Sequence, residues 1–124
     1  MTLTWTLNQS ADWTNAAAWG GNLPTATDDC LISAGAITVT VSTGAQSARS
    51  LSTTASTLAL TGGTLSIGSF ANLHGNYTQT GGTLALGGNG AHFYGTASLA
   101  GGRITSLASS LVSDGGFTLS AGTL

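Results

Sequence analysis

The chain has 124 residues, of which 5% are charged, with no Lys or Glu and a formal net charge of −2. Gly supplies 19 positions and Thr and Ser together 36, so the surface offers hydroxyls and backbone in place of charge. Arg49 and Arg103 are the only cations, leaving no basic cluster to meet phosphates, and no nucleic-acid partner is expected. No apolar run approaches the roughly 18 residues of a membrane helix, so no membrane insertion is expected either.

Low complexity does not here mean disorder, because 41% of residues are apolar and they recur in register. Residues 1–7 alternate, with Leu3, Trp5 and Leu7 on one face and Thr2, Thr4 and Thr6 on the other, the pattern of a half-buried strand. Residues 8–29 are rich in Asn, Asp, Ala and Trp and hold the one proline, Pro24. Trp13 and Trp19 are large enough to close the apolar end of whatever follows. Ala16 to Trp19 suits a single helical turn. From Cys30 onward strands begin, first Leu31 and Ile32, then the alternating Ile37 to Val41.

Beyond that point one phrase recurs. Thr-Gly-Gly-Thr-Leu occupies Thr61 to Leu65 and again Thr80 to Leu84, with weaker copies at Ala100 and Ser120 and an echo at Ser42. The steps between copies are 19, 19, 20 and 20 residues. A fixed period of that size predicts a solenoid in which each repeat is one coil. Aligned on the turn, one column reads Val39, Leu58, Tyr77, Ala97, Phe117 and a second Val41, Leu60, Gln79, Leu99, Leu119. A third reads Leu65, Leu84, Ile104, Leu124, and a fourth pairs Ile67 with Leu86. The glycine pair supplies the positive φ of a corner and lets coils approach. The expected fold is an all-β single-stranded parallel β-helix (β-solenoid), right-handed, of about five coils. It forms one domain, with residues 1–35 as N-terminal strand and Trp-rich cap and 36–124 as coils.

Asp12-Trp13, Ala18 to Gly21, Leu23-Pro24 and Thr27 to Ile32, followed by the Thr-Gly-Gly-Thr-Leu repeats, carry a resemblance. They look like the head and the Gly/Thr-rich β-solenoid stalk of bacterial autotransporter-like and other secreted surface proteins. The resemblance spans nearly the whole chain and implies an extracellular or cell-surface structural role, often adhesion or matrix. It carries over no catalytic residue. No signal peptide is legible at the N-terminus.

Candidate chemistry is sparse. His74, Tyr94 and Asp114 are each 20 apart and His92 lies two before Tyr94, which predicts one polar edge capable of contacting a glycan. A polysaccharide lyase or hydrolase is a remote alternative, because a glycosidase needs two carboxylates at a set separation. Of the four acids, Asp12, Asp28 and Asp29 lie in the head and Asp114 far along the coils, so the chain is not expected to be an enzyme. Asp28 and Asp29 fall short of the roughly six to eight oxygens calcium takes and read as turn chemistry. Cys30 has no zinc-ligand spacing to either histidine; no metal or other cofactor is expected. Ice binding by threonine columns also looks poor, since Thr64 and Thr83 run into Arg103 and Thr61 and Thr80 into Ala100.

The last coil stops after its turn, which would leave Phe117, Leu119 and Leu124 at an open end. The expectation is therefore a self-assembling extracellular filament or matrix subunit, a homopolymer stacked head to tail. Leu3, Trp5 and Leu7 would belong to a strand donated to the neighbour's last coil. The alternative is a fragment of an adhesin stalk that binds glycans.

Overall fold

A computed structural model of the chain describes residues 2–33, 35–88, 90–106 and 111–123. The described residues form fourteen strands and one 3-10 turn. The head contributes β1 (Thr2–Thr4), β2 (Ala11–Asp12) and the 3-10 turn Ala16–Trp19. The coils begin with β3 (Asp29–Ile32) and β4 (Thr38–Val41), then β5 (Ala45–Thr53) and β6 (Thr57–Leu60). Next come β7 (Thr64–Leu73), β8 (Tyr77–Gln79), β9 (Thr83–Leu86), β10 (Gly90–Phe93) and β11 (Ala97–Leu99). The final rung holds β12 (Arg103–Ser106), β13 (Leu111–Ser113) and β14 (Phe117–Leu119).

Every strand pairing among them is parallel, and the molecule is the expected β-solenoid. One sheet runs β2-β4-β6-β8-β11-β14. The other runs β1-β3-β5-β7-β10-β13, with β9 pairing β7 and β12. The solenoid makes about four turns.

The predicted columns stand as stacks. Val39, Leu58, Tyr77, Ala97 and Phe117 are register partners in succession, as are Val41, Leu60, Gln79, Leu99 and Leu119. Leu65, Leu84 and Ile104 stack likewise, and Ile67 lies on Leu86; Leu124 lies outside the described residues. Leu58, Leu60, Leu65, Leu84 and Leu99 are each no more than 1% exposed. Burial of each such side chain contributes about 1.5–3 kcal/mol, enough for a ladder to offset the ordering of its strands.

The two glycines of the turn phrase do different jobs. Gly63 has φ +67° and needs the freedom of glycine for the corner itself. Its neighbour Gly62 is not in that region, but a Cβ there would sit 2.6 Å from the Ser42 carbonyl oxygen of the coil before. The first glycine thus permits stacking, and the second permits turning as well as stacking, since a Cβ on Gly63 would sit 2.5 Å from the Gly44 carbonyl oxygen. That division repeats at Gly81 and Gly82, where a Cβ on Gly81 would meet the Thr61 carbonyl at 2.6 Å and Gly82 has φ +71°.

A third run of strand, for which a coil of about 20 residues has room, was not located in the sequence. β5 and β7 continue around a corner, with a register shift between Ala48 and Ser50, into Leu51 and Thr53 stacked on Ala71 and Leu73. Ala91 and Phe93 of β10 follow in the same columns. No shared phrase marks these segments in the sequence, and small residues fill half of the columns.

The most deeply buried polar side chain among the described residues is Gln79. Gln79 is fully buried, accepts from the Tyr77 hydroxyl at 2.6 Å and donates to the carbonyls of Arg103 (2.9 Å) and Gly82 (3.2 Å). Each bond prevents the cost of an unpaired buried group, about 1–3 kcal/mol.

Candidate functional site

The head closes one side of the stack. β1 pairs with β3 in parallel, Thr2 opposite Asp29 and Thr4 opposite Leu31, and the Trp5 amide donates to the Leu31 carbonyl at 2.9 Å. The Trp5 and Trp19 rings meet edge to face at 5.2 Å, and Trp13 lies 4.9 Å from Trp19. The Trp19 indole N–H donates to the Trp13 carbonyl at 2.9 Å. Trp5 is 2% exposed, and Leu3 and Leu7 pack half-buried against the core. In the single chain Leu3, Trp5 and Leu7, expected on a donated strand, cover the chain's own first rung, held by backbone pairing and the tryptophan rings.

The acids of the head are engaged locally. Asp12 accepts from the Thr14 amide and hydroxyl and from the Ser42 hydroxyl. Burial raises its pKa, but these bonds outweigh it and the net shift is downward. Asp28 accepts from the amide and hydroxyl of Thr25, closing the turn before β3. Asp29 accepts from Arg49 through both oxygens, at 2.8 and 2.5 Å, and from the Ser50 hydroxyl at 2.7 Å. The Arg49 hydrogen bonds, with Ser50 second, hold its carboxyl at about 2. Cys30 is 3% exposed, and burial, then Asp28 and Asp29, push its thiol up to about 12.

The polar edge expected from the 20-residue spacing forms as a ladder of rings. His74 and Tyr94 lie in consecutive rungs with centroids 4.1 Å apart and planes 2° from parallel. His92 and Tyr94 are 3.8 Å apart at 7°. Two rings cannot share one face of Tyr94 at those separations, so the phenol is sandwiched between the imidazoles. The His74 Nδ1–H donates to the Thr53 carbonyl at 3.0 Å, and His92 Nε2–H meets Asp114 Oδ2 at 2.8 Å. Tyr94 is 39% exposed, through its edge and hydroxyl, so a sugar ring cannot stack on its face. All four predicted residues come together on one edge.

The far side of the stack is unlike the head. β13 and β14 are the last strands of their sheets, paired on one side only among the described residues. Leu119 is 51% and Val112 42% exposed. The Phe117 ring is half-buried, its centroid 6.2 Å from that of Phe93. Val112 was not anticipated, because the run containing β13 carried no prediction. Comparison with family models, curated proteins and solved structures returned no match.

Proposed function

We propose that this solenoid is a structural unit of an extracellular surface filament or matrix, extended by parallel strand addition on β13 and β14. The observation that carries the reading is the pair of parallel edges, paired on one side only among the described residues, beside exposed Leu119 and Val112. Unpaired backbone next to apolar side chains is a template for another strand. A second copy docking its head on this edge makes a heterologous contact that repeats without closing, which builds a fibre. Low charge supports it, since net charge is only −2 and little repulsion opposes stacking. Electron microscopy and sedimentation of the purified chain test the reading. Fibres that give way to monomers in Leu119→Lys support it; a monodisperse wild-type chain at all concentrations removes self-assembly.

A second reading is an adhesin stalk contacting glycans, and the assembled His74–Tyr94–His92 ladder with Asp114 favours it. Contact would run through ring edges and the exposed carboxylate. Glycan-array binding that disappears in Tyr94→Ala and His74→Ala distinguishes it from a purely structural role.

A further inference from the structure

The sheet of β4, β6, β8, β11 and β14 has an outer face opposite its apolar columns, and its pairing contains no register shift. Thr40, Ala59, Thr78, Ser98 and Thr118 are register partners in succession, forming one outward rank. A second rank lies two residues earlier. Thr38 pairs with Thr57, and backbone bonds from Leu58 to Asn76 and from Tyr77 to Thr96 carry it on. Asn76 Oδ1 accepts from both the amide and the hydroxyl of Thr96, fixing that side chain. Seven of these nine positions carry hydroxyls, Ala59 and Asn76 being the breaks; beyond them Asp12 of β2, the partner of Thr40, ends the first rank with a carboxylate and Gly116 ends the second.

Strand spacing of about 4.8 Å and a repeat of about 6.7 Å for alternate residues set these side chains on a near-rectangular mesh. Threonine is restricted at χ1, so each presents its methyl and hydroxyl in a limited set of orientations before any ligand arrives. The hydroxyls of Thr40, Thr78, Ser98 and Thr118 make no hydrogen bond within the described chain, leaving them to order solvent. A pre-ordered mesh, uncharged from β4 to β14, fits a ligand that is itself a lattice of hydrogen-bonding oxygens at a similar repeat, with little ordering cost on contact. We propose that this face binds ice. The prism face of ice has an oxygen mesh of nearly this shape, and methyl groups between hydroxyls allow water to sit in the rows in register with it. The unevenness that argued against ice binding belongs to other columns, those broken by Arg103 and Ala100.

Thermal hysteresis and ice-crystal shaping of the full chain test the proposal. Wild type is expected to shape crystals and hold a measurable hysteresis gap. Thr78→Tyr, at the centre of the face, and Thr118→Lys, at its exposed margin, are expected to reduce that gap to the buffer baseline while circular dichroism remains unchanged. Thr54→Tyr, exposed on the ring-bearing side, is expected to keep it. A wild-type chain without hysteresis overturns the proposal, as do both folded face variants retaining it. Sedimentation with crystalline cellulose in the absence of any effect on ice overturns it in favour of a polysaccharide lattice.

Discussion

Gly62 and Gly63 are neighbours with one sequence signature and two physical requirements. Ala at Gly63 must hold φ +67° and also places a Cβ 2.5 Å from the Gly44 carbonyl oxygen. Strain in that region costs about 1–3 kcal/mol before any clash. Ala at Gly62 has an ordinary backbone but meets the Ser42 carbonyl, so the coils must separate locally. Both variants are expected to lower the urea midpoint. The further expectation for Gly62→Ala is faster amide exchange at Thr61 and Thr64, whose N–H groups bond to the coil before. Equal midpoints for wild type and Gly63→Ala would show that the corner does not depend on the left-handed conformation. The sequence revealed the glycine pair but not the division of labour, because composition does not say which residue turns and which is pressed against a neighbour.

At the level of elements, the coils were legible where a strand alternates and a turn phrase marks its end. β4, β6, β8, β11 and β14 were readable because Val39, Leu58 and Tyr77 fall at one fixed distance from the glycines. The β10 and β13 runs were not, since their inward positions mix Ala, Leu, Phe and Ser and no turn phrase sits beside them. The ladder of His74, Tyr94 and His92 was visible as spacing, but the sandwich was not, because spacing gives the rung and not the ring plane. Between β3 and β5, the Asp29–Arg49 bridge links two successive rungs. The Asp29 carboxyl is lowered from its ordinary 3.8 to about 2, so the folded state favours its charged form. Stability from this bridge is present above about 3.8 and is lost as pH falls through about 2. Asp29→Asn is expected to flatten the acid side of a melting-temperature profile in that window. An unchanged acid slope would mean that the bridge makes no contribution.

For the whole molecule, stability is built from rungs that contact only their neighbours, so position along the axis decides what a substitution does. Trp5 is 2% exposed under the head and Leu119 51% exposed on the far edge. Trp5→Ala is expected to cost about 3–5 kcal/mol in chemical unfolding, as large core truncations do. Leu119→Lys is expected to change stability by less than about 0.5 kcal/mol while altering association. The reverse order would mean that the tryptophans are dispensable to the fold and the far edge is its true seal.

The buried amide at Gln79 has a further consequence. Rungs that repeat nearly the same phrase could slide by one whole coil, pairing each strand with the wrong neighbour while leaving most inward positions apolar. Such a slipped frame would part the Gln79 amide from the Arg103 carbonyl and leave it only the bonds to Tyr77 and Gly82 of its own coil. The inter-coil bond of Gln79 therefore acts as an index mark, making the correct frame distinguishable from its near-duplicates while the chain winds up.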